Sequence, residues 1–336
     1  MTLNFEDVRR LLEEKLREME KEYSPEEIDF EGVEQYGEWD SIDGSFRTMR
    51  DYLRWASEIC KSSVIAAVDG GQINPDRTLY PPVGLVQSVA FVNFHNGRYE
   101  RLSEVELVIP EDEYTRFEEL TSLKRFLLEC RMIKNVMESF GNENLYILYD
   151  GSLIASFLGE LSSEIRREYL RNLNEILKLS EELRVPLVGY VDLSYARDLL
   201  NEIEMIRGER IRGFDAKVIR ERLKNWGDCT PVFVAKREIT GSYEKKICYT
   251  YFLKSKRVPP SRIEFPFWMK DMKREVVNIV LSQCILGGGG YPYALESADK
   301  LAHIGRKDRE RFKTMVMKYL SASPSFKSES KSLRRR

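Results

Sequence analysis

The sequence has no CxxC pair: its five cysteines stand alone at 60, 130, 229, 248 and 284. That spacing offers neither a zinc cage nor a disulfide framework and reads as reduced intracellular thiols. No run of about 18 apolar residues occurs, so no transmembrane helix is expected. Acidic and polar residues from the start argue against a secretory signal. Together these point to a cytoplasmic protein with no membrane partner. There is no excess of positive charge either. The formal net charge is -2 over 336 residues, so a nucleic-acid partner would have to be met by a local basic patch rather than by a whole-protein field. No internal repeat is found.

What is present is a globular composition, 42% hydrophobic and 32% charged, long enough for one large domain or two ordinary ones. Residues 5–23 read as an amphipathic helix carrying Phe5, Val8, Leu11, Leu12, Leu16 and Met19, and a second helix is expected near 44–60. The division is an N-terminal helical segment over 1–60, a main domain over 61–320, and a tail over 321–336. The tail is rich in Ser, Lys and Arg and reads as disordered.

The richest stretch is Val64-Ile-Ala-Ala-Val-Asp-Gly-Gly-Gln72, an apolar run ending in Asp69 before two glycines. The design recurs at Leu145-Tyr-Ile-Leu-Tyr-Asp-Gly-Ser152, where Asp150 ends a second apolar run. Short β-branched and aromatic runs closed by glycine read as buried strands. Each aspartate then falls at a strand's C-terminal end, where α/β sheets place their chemistry. Between 64 and 191 the pattern is three strands (64–70, 84–94, 99–109), a helix (113–140), a strand (145–150), a helix (153–182) and a strand (186–191). His95-Asn-Gly-Arg supplies a hairpin turn, which leaves His95 exposed.

This is the element order of a ribonuclease H-like core, in which the first and fourth strands are neighbours. The fold class is therefore α/β, a ribonuclease H-like mixed sheet flanked by helices, with N-terminal helices and C-terminal additions. The additions read as helices at 196–207 and 215–225, strands at 231–238, 246–254 and 261–266, and a helix at 270–285. Gly287–Gly290 follows, and then a helix opened by Pro292.

Two aspartates on neighbouring strands suit a divalent metal held for phosphodiester cleavage. The structural alternative for each is an Asp-Gly turn or a helix cap. Glu129 is the next candidate: it lies three residues after Phe126 and four before Ile133, on an apolar helical face. A carboxylate there needs a partner, either a metal or a cation such as Arg125. Asp299 and His303 are four apart on the helix after Pro292, so they should share a face. Oxygen and imidazole donors suit Mn²⁺, and the carboxylate suits Mg²⁺. The alternative there is a solvated helix surface, given Lys300, Arg306 and Lys307. Asp192 is a weaker candidate or a helix cap. Arg77, Arg197 and Lys236 could meet phosphates at the mouth, and Tyr190, Tyr195 and Tyr291 could stack on bases.

Several segments in order resemble the NurA nuclease family. They are Ala67-Val-Asp-Gly70, Leu148-Tyr-Asp-Gly-Ser-Leu153, Val188-Gly-Tyr-Val-Asp192, Phe214-Asp-Ala216, Arg262-Ile-Glu-Phe-Pro266, and Gly290-Tyr-Pro-Tyr-Ala-Leu295 with Ala298-Asp299. Gly71 departs from the pattern, standing where members often carry Ser. The resemblance implies Mn²⁺-dependent 5′-to-3′ exonuclease and single-strand endonuclease activity. It also implies a homodimer working with a hexameric HerA helicase in DNA end resection. On this reading Asp69 and Asp150 bridge the metals, and Glu129 and Asp299 complete the shell. Two other functions fit the residues: an actin-like ATPase or sugar kinase, given the late Gly-rich loop, and a non-catalytic DNA-binding scaffold.

Overall fold

A computed structural model describes residues 4–21, 28–42, 46, 48–110 and 116–322. The expected disordered tail falls almost entirely outside them. Helix α1 (Phe5–Lys21) leads to the two-residue strand β1 (Gln35–Tyr36) and helix α2 (Met49–Lys61). Thr48 and Asp51 form a reciprocal cap that fixes the start of α2. Strands β2 (Val64–Ile73), β3 (Gly84–Asn93) and β4 (Tyr99–Val108) follow, then α3 (Phe117–Phe140), β5 (Leu145–Asp150), α4 (Ser163–Leu183) and β6 (Leu187–Val191). The second half holds α5 (Asp198–Arg207), α6 (Asp215–Arg220), β7 (Val232–Val234), β8 (Ile247–Phe252), β9 (Ser261–Pro266), α7 (Lys273–Leu286), α8 (Tyr293–Ala302) and α9 (Arg306–Ala322).

All nine strands join one sheet in the order β1-β7-β8-β9-β6-β5-β2-β3-β4. The ribonuclease H-like core is at its centre. β2, β3 and β4 form an antiparallel meander, β2 pairs in parallel with β5, and β5 in parallel with β6. The Asn96-Gly97 turn lies between β3 and β4, with Gly97 at φ 94°. His95 departs from expectation. It is half-buried, its Nε2 lies 3.3 Å from Gln283 Nε2, and burial lowers its pKa.

Strand alternation sorts the core into two faces. Val64, Ala66 and Val68 of β2 pack with Ile133, Val136 and Met137 of α3 and with α4. Ile65 and Ala67 pack on the other face with Val277, Val280, Leu295 and Ala298 of α7 and α8. The sheet is thus a middle layer between α3/α4 and α7/α8. The N-terminal segment contributes to it directly, because β1 pairs with β7 and Cys60 of α2 enters the second core. The apolar side of α1 is uncovered among the described residues, with Phe5, Leu11, Leu12 and Leu16 all more than half exposed.

Candidate active site

Asp69 does not end its strand. β2 runs four residues further to Ile73, held by the antiparallel pairing with β3, in which Asp69 faces Val89. What ends near Asp69 is the parallel neighbour: the last β2–β5 pair is Val68 with Tyr149, and Asp150 closes β5. The two aspartates therefore stand side by side where two strands separate. Alternation puts both on the sheet face covered by α8.

The glycines after Asp69 are not a turn. They are strand residues that let two helices approach. A Cβ on Gly70 would overlap Glu129 Oε1 and stand 2.7 Å from Arg125 Cγ. A Cβ on Gly71 would overlap the carbonyl oxygen of Ala302 and stand 3.0 Å from Ile304 Cγ1. Gly70 thus admits α3 from one face, and Gly71 admits the end of α8 from the other. Gln87 Nε2 secures that end by donating to Ala302 O at 2.6 Å.

Glu129 is 5% exposed. Its Oε1 lies 3.5 Å from Arg125 Nε, and its Oε2 accepts from the Tyr149 hydroxyl at 3.4 Å. Burial raises its pKa to about 7; the Arg125 charge opposes the rise, and the charges of Asp69 and Asp150 add to it. Of the two expected partners, the cation Arg125 is the one beside it. Glu129 reaches the two aspartates from the α3 face, not from the face that carries Asp69, Asp150 and α8.

Asp69 is half-buried and its pKa is raised, first by burial, then by the charges of Asp150 and Asp299. The Gly70 amide, donating to Asp69 Oδ1 at 2.8 Å, opposes this rise. Asp150 opens to solvent at its tip, yet the protein crowded around it raises its pKa as well. The Tyr291 hydroxyl donates to its Oδ1 at 2.6 Å and works the other way, while Asp299 and Asp192 add repulsion.

Asp299 is exposed on α8, above Asp69 and Asp150 and within electrostatic reach of both. His303 stands four residues further on, at the end of the same helix. The helix ends at Ala302, and His303 is the cap residue, exposed at φ -63° and ψ 121°, with its amide donating to Asp299 O.

Asp192 pairs with Lys254, and the Tyr190 hydroxyl donates to its Oδ1 at 2.5 Å. Lys254 carried no signal in the sequence, because 62 residues separate it from Asp192. The other expected mouth residues are engaged elsewhere. Arg197 bonds Glu204 and the carbonyls of Gly213 and Ile211; Lys236 bridges Glu34 and Glu202; Arg77 lies over the Phe117 ring. Tyr190 is buried and Tyr291 is bonded to Asp150, which leaves Tyr195, 72% exposed, as the one of the three tyrosines free for stacking.

The turn after Asp150 is anchored from β9. Glu264 Oε2 accepts from Ser152 Oγ at 2.7 Å and from the Ile154 amide at 3.1 Å. Arg262, 1% exposed, pairs with Glu264 at 2.8 Å and with Asp198 at 2.5 Å. The Arg262-Ile-Glu264 segment therefore holds the Asp150 turn in place from the strand beyond β6.

The donor set suits a hard divalent cation, since its groups are carboxylates that repel one another without one. Among the described residues no three His, Cys, Asp or Glu side chains form a ready-made cage.

A ribonuclease H-like sheet with two acidic groups side by side where its central parallel strands separate is a nuclease-type fold. The sequence matches the NurA domain over residues 63–304. The chain belongs to the NurA family of nucleases. No curated protein matches the sequence. The crystal structure of the NurA nuclease from Sulfolobus solfataricus is similar, with TM-score 0.63, 16% identity, and coverage of 95% of this chain and 98% of that one. A NurA crystal structure gives TM-score 0.54 at 12% identity over 94% of this chain and 98% of its own. A structure of NurA with manganese gives 0.51 at 11% identity over 93% and 97%. At these identities the structures support the shared fold.

Proposed function

We propose that the protein is a divalent-metal-dependent DNA nuclease, a 5′-to-3′ exonuclease and single-strand endonuclease. Mn²⁺ is the favoured ion and Mg²⁺ the alternative. The observation that carries this reading is the side-by-side placement of Asp69 and Asp150 where β2 and β5 separate, on the sheet face that α8 covers. Asp69, Asp150 and Asp299 would hold the metal, with Glu129 completing the site through the opening beside Gly70. When bound, such a metal supplies Lewis acidity to the scissile phosphate and a more acidic attacking water. The Tyr291 hydroxyl orients Asp150, and the Gly70 amide orients Asp69. Arg125 offsets the buried charge of Glu129.

Family membership supports the wider reading: a homodimer acting on DNA ends in the cytoplasm, with a HerA-like hexameric ATPase, in end resection and repair. The uncovered apolar side of α1 is the candidate contact. Among the described residues no helix is long and apolar enough to cross a membrane.

Incubation with end-labelled single-stranded DNA, in Mn²⁺ or in EDTA, tests the activity. Cleavage in Mn²⁺ alone is expected. Binding without cleavage would favour a non-catalytic scaffold, and ATP turnover without cleavage an actin-like enzyme. Light scattering and co-elution with the cognate ATPase test the assembly. A monomer at micromolar concentration would overturn the dimer, and failure to co-elute would overturn the partnership.

A further inference from the structure

The net charge of -2 leaves open where a nucleic-acid strand would be held. A cleft of about 360 Å³ lies at the same end of the sheet as the carboxylates, lined by Leu193 and Tyr195 after β6, Phe214 before α6, Arg220 on α6, and Lys256 and Arg257 between β8 and β9. Because β6 is parallel to β5 and antiparallel to β9, the residues after β6 and before β9 emerge at the edge where Asp150 ends β5. The cleft begins one strand from Asp150 and reaches the β8–β9 connection three strands away. At about 4.8 Å per strand that is about 5–14 Å. Asp192, whose charge acts on Asp150, directly precedes Leu193 on the way.

Its surface has the two components that single strands require, aromatic faces and cations. Tyr195 is 72% exposed and Phe214 41% exposed, with ring centroids 5.1 Å apart at 78°. The edge-on contact leaves ring surface available to a base. Four of the described lining residues are cations and one, Glu221, is an acid. The cleft therefore reverses the sign of the chain as a whole.

We infer that this cleft is a subsite for the single-stranded segment of the DNA beside the scissile phosphate. A base stacks on the Tyr195 ring with Phe214 packed edge-on beside it, and the flanking phosphates lie toward Lys256 and Arg257. The inference rests on the nuclease reading for its substrate, but binding can be measured without cleavage. Charge complementarity and continuity with the carboxylate end favour DNA as the occupant over a second copy of this chain.

The test is fluorescence anisotropy of a labelled 12-nucleotide oligo(dT) in EDTA, with wild type, Tyr195→Ala, Tyr195→Phe, Tyr195→Ala/Phe214→Ala and Lys256→Glu/Arg257→Glu. The aromatic pair should lose about tenfold or more in affinity. Tyr195→Phe should restore most of what Tyr195→Ala loses, and the charge pair should flatten the salt dependence. Tyr195 is largely solvated, so the single variant tests the cleft even if the double variant fails to fold. Unchanged affinity in Tyr195→Ala and in the charge pair overturns the inference. So does conversion of a dimer to a monomer by these substitutions in light scattering, which would make the face a contact between copies. Wild-type hydrolysis of bis(p-nitrophenyl) phosphate in Mn²⁺ reports on the carboxylate centre separately. An inert wild type whose variants lose oligo(dT) affinity supports the cleft and overturns the nuclease reading. An active wild type with unaltered variant affinity does the reverse.

Discussion

Glu129 Oε1 occupies the space that a Cβ on Gly70 would fill. The residue after Asp69 is thus open on the α3 face, and a buried carboxylate on α3 reaches the neighbourhood of two aspartates that face α8.

Asp69→Asn and Asp150→Asn should each abolish nuclease activity without unfolding the protein. Both carboxylates are raised by burial and by neighbouring acids, so the amides should leave the metal-free melting temperature equal to wild type or above it. Glu129→Gln and Asp299→Asn should each reduce activity severely, and His303→Ala much less, since His303 is an exposed residue at the rim that can tune the site without holding the metal. Single-turnover cleavage of labelled DNA is the check; wild-type turnover in either Asp69→Asn or Asp150→Asn would remove the assignment.

Mn²⁺ should raise the melting temperature of wild type and do so far less for Asp69→Asn. A ligand that binds only the folded state stabilises it by mass action. Calorimetry with and without Mn²⁺ measures both shifts, and equal shifts would place the ion elsewhere.

In EDTA, stability should fall as the pH rises from about 4.5 to about 7, and Glu129→Gln should remove much of that fall. Glu129 holds its proton more tightly folded than unfolded, because burial raises its pKa from 4.5 to about 7. The stabilisation is full below the lower value and is lost as the pH passes the upper one. A rise of this size corresponds to on the order of 3 kcal/mol. Urea midpoints of both proteins across this range test it, and parallel profiles would contradict it.

Gly71→Ser should destabilise the protein by about 1–3 kcal/mol, the usual effect of overpacking. Its Cβ would collide with the Ala302 carbonyl, a backbone atom that the Gln87 amide also holds. The end of α8 must then move, taking Asp299 with it, so activity should fall beyond what the loss of stability explains. A melting curve and a cleavage rate together separate the two effects.

Arg262→Met should cost about 3–5 kcal/mol, because Asp198 and Glu264, at 3% and 2% side-chain exposure, lose a shared cation. The turn that Glu264 anchors after Asp150 should loosen as well. Denaturant unfolding measures the first effect. Faster hydrogen exchange at the Ile154 amide measures the second.

The sequence by itself determined the strands and the pairing of the two aspartates. A short continuous apolar run closed by Asp-Gly specifies a buried strand, and the ribonuclease H-like element order placed β2 beside β5 and so Asp69 beside Asp150; that β2 runs on past Asp69 depended on its pairing with β3. The apolar face of α3 likewise implied that Glu129 is buried. The purpose of Gly70 and Gly71 was not local: they resemble a turn in the sequence and prove to be points of helix contact, because their neighbours are Glu129 and Ala302, far away along the chain. The same holds for Lys254 on Asp192, Tyr291 on Asp150 and Glu264 on the Ser152 turn, each joined across 62 to 141 residues. A helical period also could not show that Arg197 and Lys236 are held by other acids. Periodicity records which face of an element is buried, whereas the partner on that face is fixed only when distant elements pack.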